Sequence, residues 1–114
     1  MTIKDFRRIV LSLPQAVESA HMGHPDFRVN GKIFATIAKP DEGLAMVKLK
    51  PDQQKEYVQS QPTVFTPCQG AWGRSGCTYV RLKAVKAATL RSAIFLAWRN
   101  LVPDEVAEQS EDAD

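Results

Sequence analysis

A chain of 114 residues, 44% hydrophobic and 25% charged, has the length of one domain and the apolar content for a core, which excludes wholesale disorder. Its formal charge of +2 hides a split: residues 1–103 carry all 15 Lys and Arg against seven acids, a balance of +8, while residues 104–114 carry six acids and no base. The longest apolar run, Ala93 to Trp98, is too short to cross a bilayer, and Lys4, Asp5, Arg7 and Arg8 interrupt any apolar leader near Met1.

The first predicted element is a helix over residues 2–13. Thr2 is placed to cap it, Asp5 stands at the capping-box position, and Phe6, Ile9, Val10 and Leu13 recur at helical spacing. Pro14 ends it. Val17–Met22 reads as a strand, followed by Asp26–Val29 and Lys32–Ala38 around Asn30-Gly31, a pair of turn residues that tolerates positive φ and marks a hairpin. Leu44–Lys50 is the next strand, then a short helix from Pro51 to about Gln59 and a short segment holding Val64 and Phe65. Gly70–Gly76 is expected to be a loop, Cys77–Lys83 a strand, and Ala87–Leu101 a helix with Leu90, Ile94, Ala97, Trp98 and Leu101 on one stripe. Residues 104–114 carry too little apolar surface to pack and are expected to form a mobile acidic tail behind a single domain of residues 1–103.

Hairpins rather than alternating strands and helices predict an α+β fold, a mainly antiparallel sheet packed on the N- and C-terminal helices. Side chains alternate across a strand. In Leu44–Lys50, Ala45, Val47 and Leu49 share the face that should meet the helices, and Leu44, Met46, Lys48 and Lys50 share the other. In Cys77–Lys83, Thr78, Val80 and Leu82 oppose Cys77, Tyr79, Arg81 and Lys83. If the second faces lie together, Lys48, Lys50, Arg81 and Lys83 form a basic surface, extended by Trp72 and Arg74 from the preceding loop. Cations interleaved with aromatics suit phosphate contact and base stacking; the plainer reading is a solvated sheet face kept wet by long basic side chains. Strict alternation from a two-residue Asn30-Gly31 turn places Phe27, Val29 and Phe34 on one side of the hairpin and Arg28, Ile33, Ala35 and Ile37 on the other. That second, partly apolar side calls for a cover, either a homodimer partner or the Gly70–Gly76 loop.

Other chemistry finds little support. His21 and His24 form His-x-x-His, but outside a helix, and the Cys68–Cys77 spacing fits no zinc knuckle, so no metal is expected. Two cysteines are too few for a disulfide framework and read as thiols in a reducing cytoplasm. There is no dinucleotide fingerprint or phosphate loop, no nucleophile in a recognisable setting and no paired acid and base, so neither an enzyme nor a cofactor is expected. The Gly70–Gly76 loop, with Arg74, is the one candidate for a small-anion nest. Arg99, near the end of the last helix, is placed to favour the helix dipole.

Gly23-His24-Pro25-Asp26-Phe27-Arg28-Val29-Asn30-Gly31-Lys32-Ile33-Phe34-Ala35-Thr36 resembles the hallmark hairpin of the MmcQ/YjbR-like family, and the order of elements over about residues 3–102 matches it. The resemblance implies a small bacterial protein with an α+β fold like that of CyaY-like proteins and secretion chaperones, and DNA binding through a double-wing arrangement. The family commonly has a tryptophan at the start of the late strand, preceded by lysines; here Trp72 lies earlier and Thr78-Tyr79 occupy the strand. Taken together, the expected function is nucleic-acid binding, DNA first, through Lys48, Lys50, Trp72, Arg74, Tyr79, Arg81 and Lys83, by a cytoplasmic monomer or homodimer without a membrane partner. The alternative is a chaperone-like interaction module that pairs through its sheet.

Overall fold

The computed structural model describes residues 1–111. Helix α1 spans Ile3–Leu11, and Thr2 caps it as the sequence dictates: the Asp5 N–H donates to Thr2 Oγ1 at 3.0 Å and the Thr2 N–H donates to Asp5 Oδ2 at 2.8 Å. Strands β1 (Val17–His21), β2 (His24–Val29), β3 (Lys32–Lys39) and β4 (Leu44–Lys48) follow, with a 3-10 turn at Pro40–Glu42 before β4. Helix α2 (Pro51–Ser60), strand β5 (Phe65–Pro67), helix α3 (Gly70–Arg74), strand β6 (Cys77–Arg81), helix α4 (Ala87–Arg99) and helix α5 (Asp104–Glu111) complete the chain.

The six strands form one antiparallel sheet in the order β1-β2-β3-β4-β6-β5. Helices α1 and α4 lie together, and α4 runs over β3 and β4, so a single helical layer covers one sheet face. Beneath it sit Phe6, Phe27, Phe34, Ala45, Val47, Phe65, Val80 and the α4 stripe of Leu90, Ile94 and Trp98, all buried. The indole N–H of Trp98 donates to the Pro14 carbonyl at 2.9 Å, so the largest core side chain spends its polar atom on closing α1 against α4. The fold is α+β with helices from both ends of the sequence on the sheet.

Three sequence expectations change. First, the hairpin is not strictly alternating. Its turn is as expected, with Asn30 at φ 53° and Gly31 at φ 77°, and Val29 opposes Lys32. The register then passes from Arg28 opposite Ile33 to Phe27 opposite Ala35, leaving Phe34 as an extra residue. This β-bulge lets consecutive Phe34 and Ala35 both reach the core. Ile37 is buried too, at 4% exposure, while Ile33 stays outside at 38%. The second apolar side of the hairpin therefore does not exist.

Second, Gly70–Arg74 is a helical turn rather than a loop. Gly70 enters it at φ 67°, and the Gln54 amide of α2 donates to the Gly73 carbonyl and to the Cys77 carbonyl, each at 2.9 Å, fixing α3 to the sheet. Third, residues 104–111 form α5 instead of starting a mobile tail at Asp104. Val106 and Ala107 are buried, and their N–H groups both donate to the Pro103 carbonyl at 3.1 Å. Arg99 joins the junction by donating to the Val102 carbonyl at 2.8 Å and pairing with Asp104, in keeping with a cation at a helix C-terminus. Residues 112–114 of the expected tail lie outside the described residues. No helix among the described residues is long and apolar enough to cross a membrane.

Candidate nucleic-acid interface

The sheet face opposite the helices is built on one transverse row. Asp26 of β2, Thr36 of β3, Met46 of β4, Tyr79 of β6 and Thr66 of β5 are successive cross-strand partners, so their side chains leave the sheet on the same side. The core-side partners Ala35, Val47 and Thr78 alternate with them and are buried. The two-face reading of β4 and β6 thus holds within the strands: Lys48 opposes Cys77 and Leu44 opposes Arg81, all on the outer face.

At the β2 end the row is closed electrostatically. Asp26 is only 2% exposed, and Arg28 grips its carboxylate with two hydrogen bonds, of 2.9 and 3.1 Å. The hydrogen bonds that Arg28 donates to Asp26, followed by the charge of that carboxylate, raise the already high pKa of the Arg28 guanidinium.

At the β6 end the row opens into a cleft of about 240 Å³. Thr36, Met46 and Tyr79 make its floor, Ala38 and Cys77 continue it, and Cys68, Gln69 and Trp72 wall it from above. Trp72 projects from α3 with 71% of its surface exposed. The Lys48 ammonium lies 5.9 Å from the centre of the Trp72 ring and donates to Ser75 Oγ at 3.1 Å; Ser75 Oγ in turn donates to the Trp72 carbonyl at 2.8 Å. On the other side, the Lys39 ammonium lies 5.3 Å from the centre of the Tyr79 ring. Two cations thus sit over two aromatic rings at the rim of one cleft, within the range of cation–π attraction.

The cleft itself is neutral. Burial pushes the Cys68 thiol up to about 11, and the nearby Cys77 adds to this, against the opposing pull of a Tyr79 hydrogen bond and of the Lys39 and Lys48 charges. Cys68 and Cys77 are free thiols facing one another across the continuation of the β5–β6 ladder, where the Cys68 N–H donates to the Cys77 carbonyl at 2.9 Å. His21 and His24 oppose each other across the β1–β2 turn, at the far edge of the sheet from the cysteines. Among the described residues, no group of three His, Cys, Asp or Glu side chains converges as a metal site.

The structure therefore brings together Lys48, Trp72 and Tyr79 of the expected set. Arg81 shares their face at the other end of β6, four residues from the Cys77 that opposes Lys48, or ~13 Å along the strand. Arg74 is exposed on α3 beside Trp72's turn. Lys50 and Lys83 do not belong to the sheet face by alternation, because β4 ends at Lys48 and β6 at Arg81. Lys50 is the N-cap of α2, its N–H donating to Gln53 Oε1 at 3.0 Å, and Lys83 lies in the turn where the Ala84 and Val85 N–H groups donate to the Arg81 carbonyl. Lys39 is the residue sequence reasoning missed. The signal was one residue long: β3 continues past Ala38, and Lys39 opposes Leu44, the same residue that opposes Arg81. Among the described residues the ion pairs use Arg7, Arg8, Arg28 and Arg99; Lys39, Lys48, Arg74 and Arg81 have no acidic partner within 4.0 Å.

The family model described as YjbR matches residues 11–100. Among solved structures, the crystal structure of Deinococcus radiodurans protein DR2400, described as a DUF419 domain, is similar at a TM-score of 0.70 with 20% identity, covering 85% of this chain and 75% of that one. That likeness is one of fold. No curated protein matches the sequence.

Proposed function

Since the chain belongs to the YjbR family, we propose that its open sheet face binds nucleic acid, DNA in the first instance, through phosphate contacts from Lys39, Lys48, Arg74 and Arg81. The observation that carries this reading is the pairing of two acid-free lysines with two aromatic rings at the rim of one cleft. Cations without carboxylate partners are available to a polyanion, and like charges gathered on one sheet face are relieved by one. The same reading puts the protein in the cytoplasm, where Cys68 and Cys77 stay reduced. Double wings would correspond to the β2–β3 hairpin and the α3–β6 corner.

The alternative of a homodimer pairing through the hairpin loses its motive, because Ala35 and Ile37 are in the core and Ile33 alone of that set is exposed. A titration of labelled DNA at several salt concentrations tests the proposal. With about four phosphates neutralised, log affinity should fall against log salt with a slope of about −3 to −4. An absence of binding, or a flat salt response, overturns it.

A further inference from the structure

The cleft on this face has a shape and chemistry that phosphate contacts leave unused. At about 240 Å³ it is smaller than the ~300–1,000 Å³ sites that enclose drug-sized ligands, which limits it to a single ring system. Its walls offer ring faces and a thioether, from Trp72, Tyr79 and Met46, and its polar edge comes from Thr36 and Gln69. No charged side chain lines it; the charge stands at the rim, on Lys39 and Lys48. A ligand matching this is a flat, neutral, hydrogen-bonding ring with negative charge attached outside it. That is a nucleotide unit. Within a duplex the faces of a base are covered by its stacked neighbours, so only an unpaired base can present itself to such walls.

We propose that the Trp72–Tyr79–Met46 cleft seats one unpaired nucleobase of a single strand, with the flanking phosphates on Lys39 and Lys48. The proposal rests on the nucleic-acid reading above and adds strandedness to it. It also gives Trp72 a reason to be 71% exposed: stacking needs a free ring face, and α3 is short, rigidly hung from Gln54, and small-sided at Gly70, Ala71 and Gly73 around the indole.

The test uses the full chain with a 12-nucleotide oligo-dT, a blunt duplex containing the same strand, and thymidine monophosphate. Trp72 is its own reporter, since Trp98 is fully buried and supplies a constant background. Expected are quenching of Trp72 by the single strand, affinity at least about tenfold above that for the duplex, and weak binding of the monophosphate. Trp72→Ala should lower single-strand affinity by about tenfold or more without altering duplex affinity, and Trp72→Phe should restore part of it. Near-UV dichroism of Trp98 verifies that each variant is folded. Equal binding of duplex and single strand, with Trp72→Ala affecting both alike or neither, overturns the base pocket and leaves the phosphate reading standing. Monophosphate binding as tight as the oligomer overturns the single-strand occupant in favour of a free nucleotide. No binding of any nucleic acid overturns both readings.

Discussion

The Cys68 carbonyl oxygen lies so close to the α-carbon of Gly73 that a Cβ added there would stand 1.7 Å from it. Both atoms are backbone, so neither can yield by rotating a side chain. The missing side chain at Gly73 is what lets α3, and with it Trp72, lie down on the β5–β6 corner where the Gln54 amide fixes it.

Gly73→Ala should therefore displace α3 rather than merely tighten it. We expect a loss of about 2–4 kcal/mol in urea unfolding, beyond what an alanine in a helix would otherwise gain. Ala71→Gly, on the same turn but exposed, serves as the control and should cost no more than ~1 kcal/mol.

Removing charges from the outer face should separate binding from stability. Lys39→Ser, Lys48→Ser and Arg81→Ser each take away a side chain without an acidic partner, so thermal stability should change by no more than about 0.5 kcal/mol. Each should make the salt dependence of DNA binding shallower by about one unit of slope. Lys50→Ser and Lys83→Ser, beyond the strand ends, should leave the slope as it is.

The α1 cap predicts an acid limb. Thr2→Ala should cost about 1 kcal/mol at neutral pH. The backbone N–H of Thr2, followed by its hydroxyl, holds the Asp5 carboxyl below its ordinary 3.8. A carboxyl depressed by folding contributes stability that is whole above pH 3.8 and lost as the pH falls through the lower folded value. The difference in melting temperature between the wild type and Asp5→Asn should accordingly narrow below pH 3.8, whereas it should be constant between pH 5 and 8.

Cys68 should resist alkylation. With its thiol at about 11 against an ordinary 9.0, it holds roughly a hundredfold less thiolate than a free cysteine at pH 8. Iodoacetamide labelling of the native protein, read by mass spectrometry, should be slower at Cys68 by that order than in the urea-unfolded chain. Because folding raises this pKa, the corresponding stability is present below pH 9 and is lost as the pH climbs toward 11. Labelling at the free-thiol rate in the folded state would contradict the half-buried setting of Cys68.

Much of this architecture is legible in the residues, and the exceptions share a cause. The α1 cap, the Asn30-Gly31 turn, and the two faces of β4 and β6 are local patterns, so their signal lies within a few positions of one another. Gly70-Ala-Trp-Gly-Arg reads as a loop because two glycines in five disfavour a helix. It is helical because Gly73 must pass the Cys68 carbonyl and because Gln54, far along the chain, fixes its backbone. Residues 104–111 read as a solvated tail by composition, yet two small apolar side chains, Val106 and Ala107, suffice when Pro103 and Arg99 organise the turn before them. The cleft is the least legible feature. Its floor comes from three strands at one register position, and no single stretch of sequence shows that Thr36, Met46 and Tyr79 stand in a row.

The extra residue at Phe34 has a bearing on how length changes in this hairpin would be tolerated. Alternation works like a parity count from the Asn30-Gly31 tip, and the bulge flips the parity once between Ile33 and Ala35. With every residue kept, strict alternation from that tip would offer Ala35 and Ile37 to solvent and turn Thr36 toward the helices; deleting Phe34 would instead leave Phe27 opposite Ala35 and Asp26 opposite Thr36 in an unbroken ladder, at the loss of one core ring. The irregular strand is the one that fits this sequence; a tidier hairpin of the same length would be inside out.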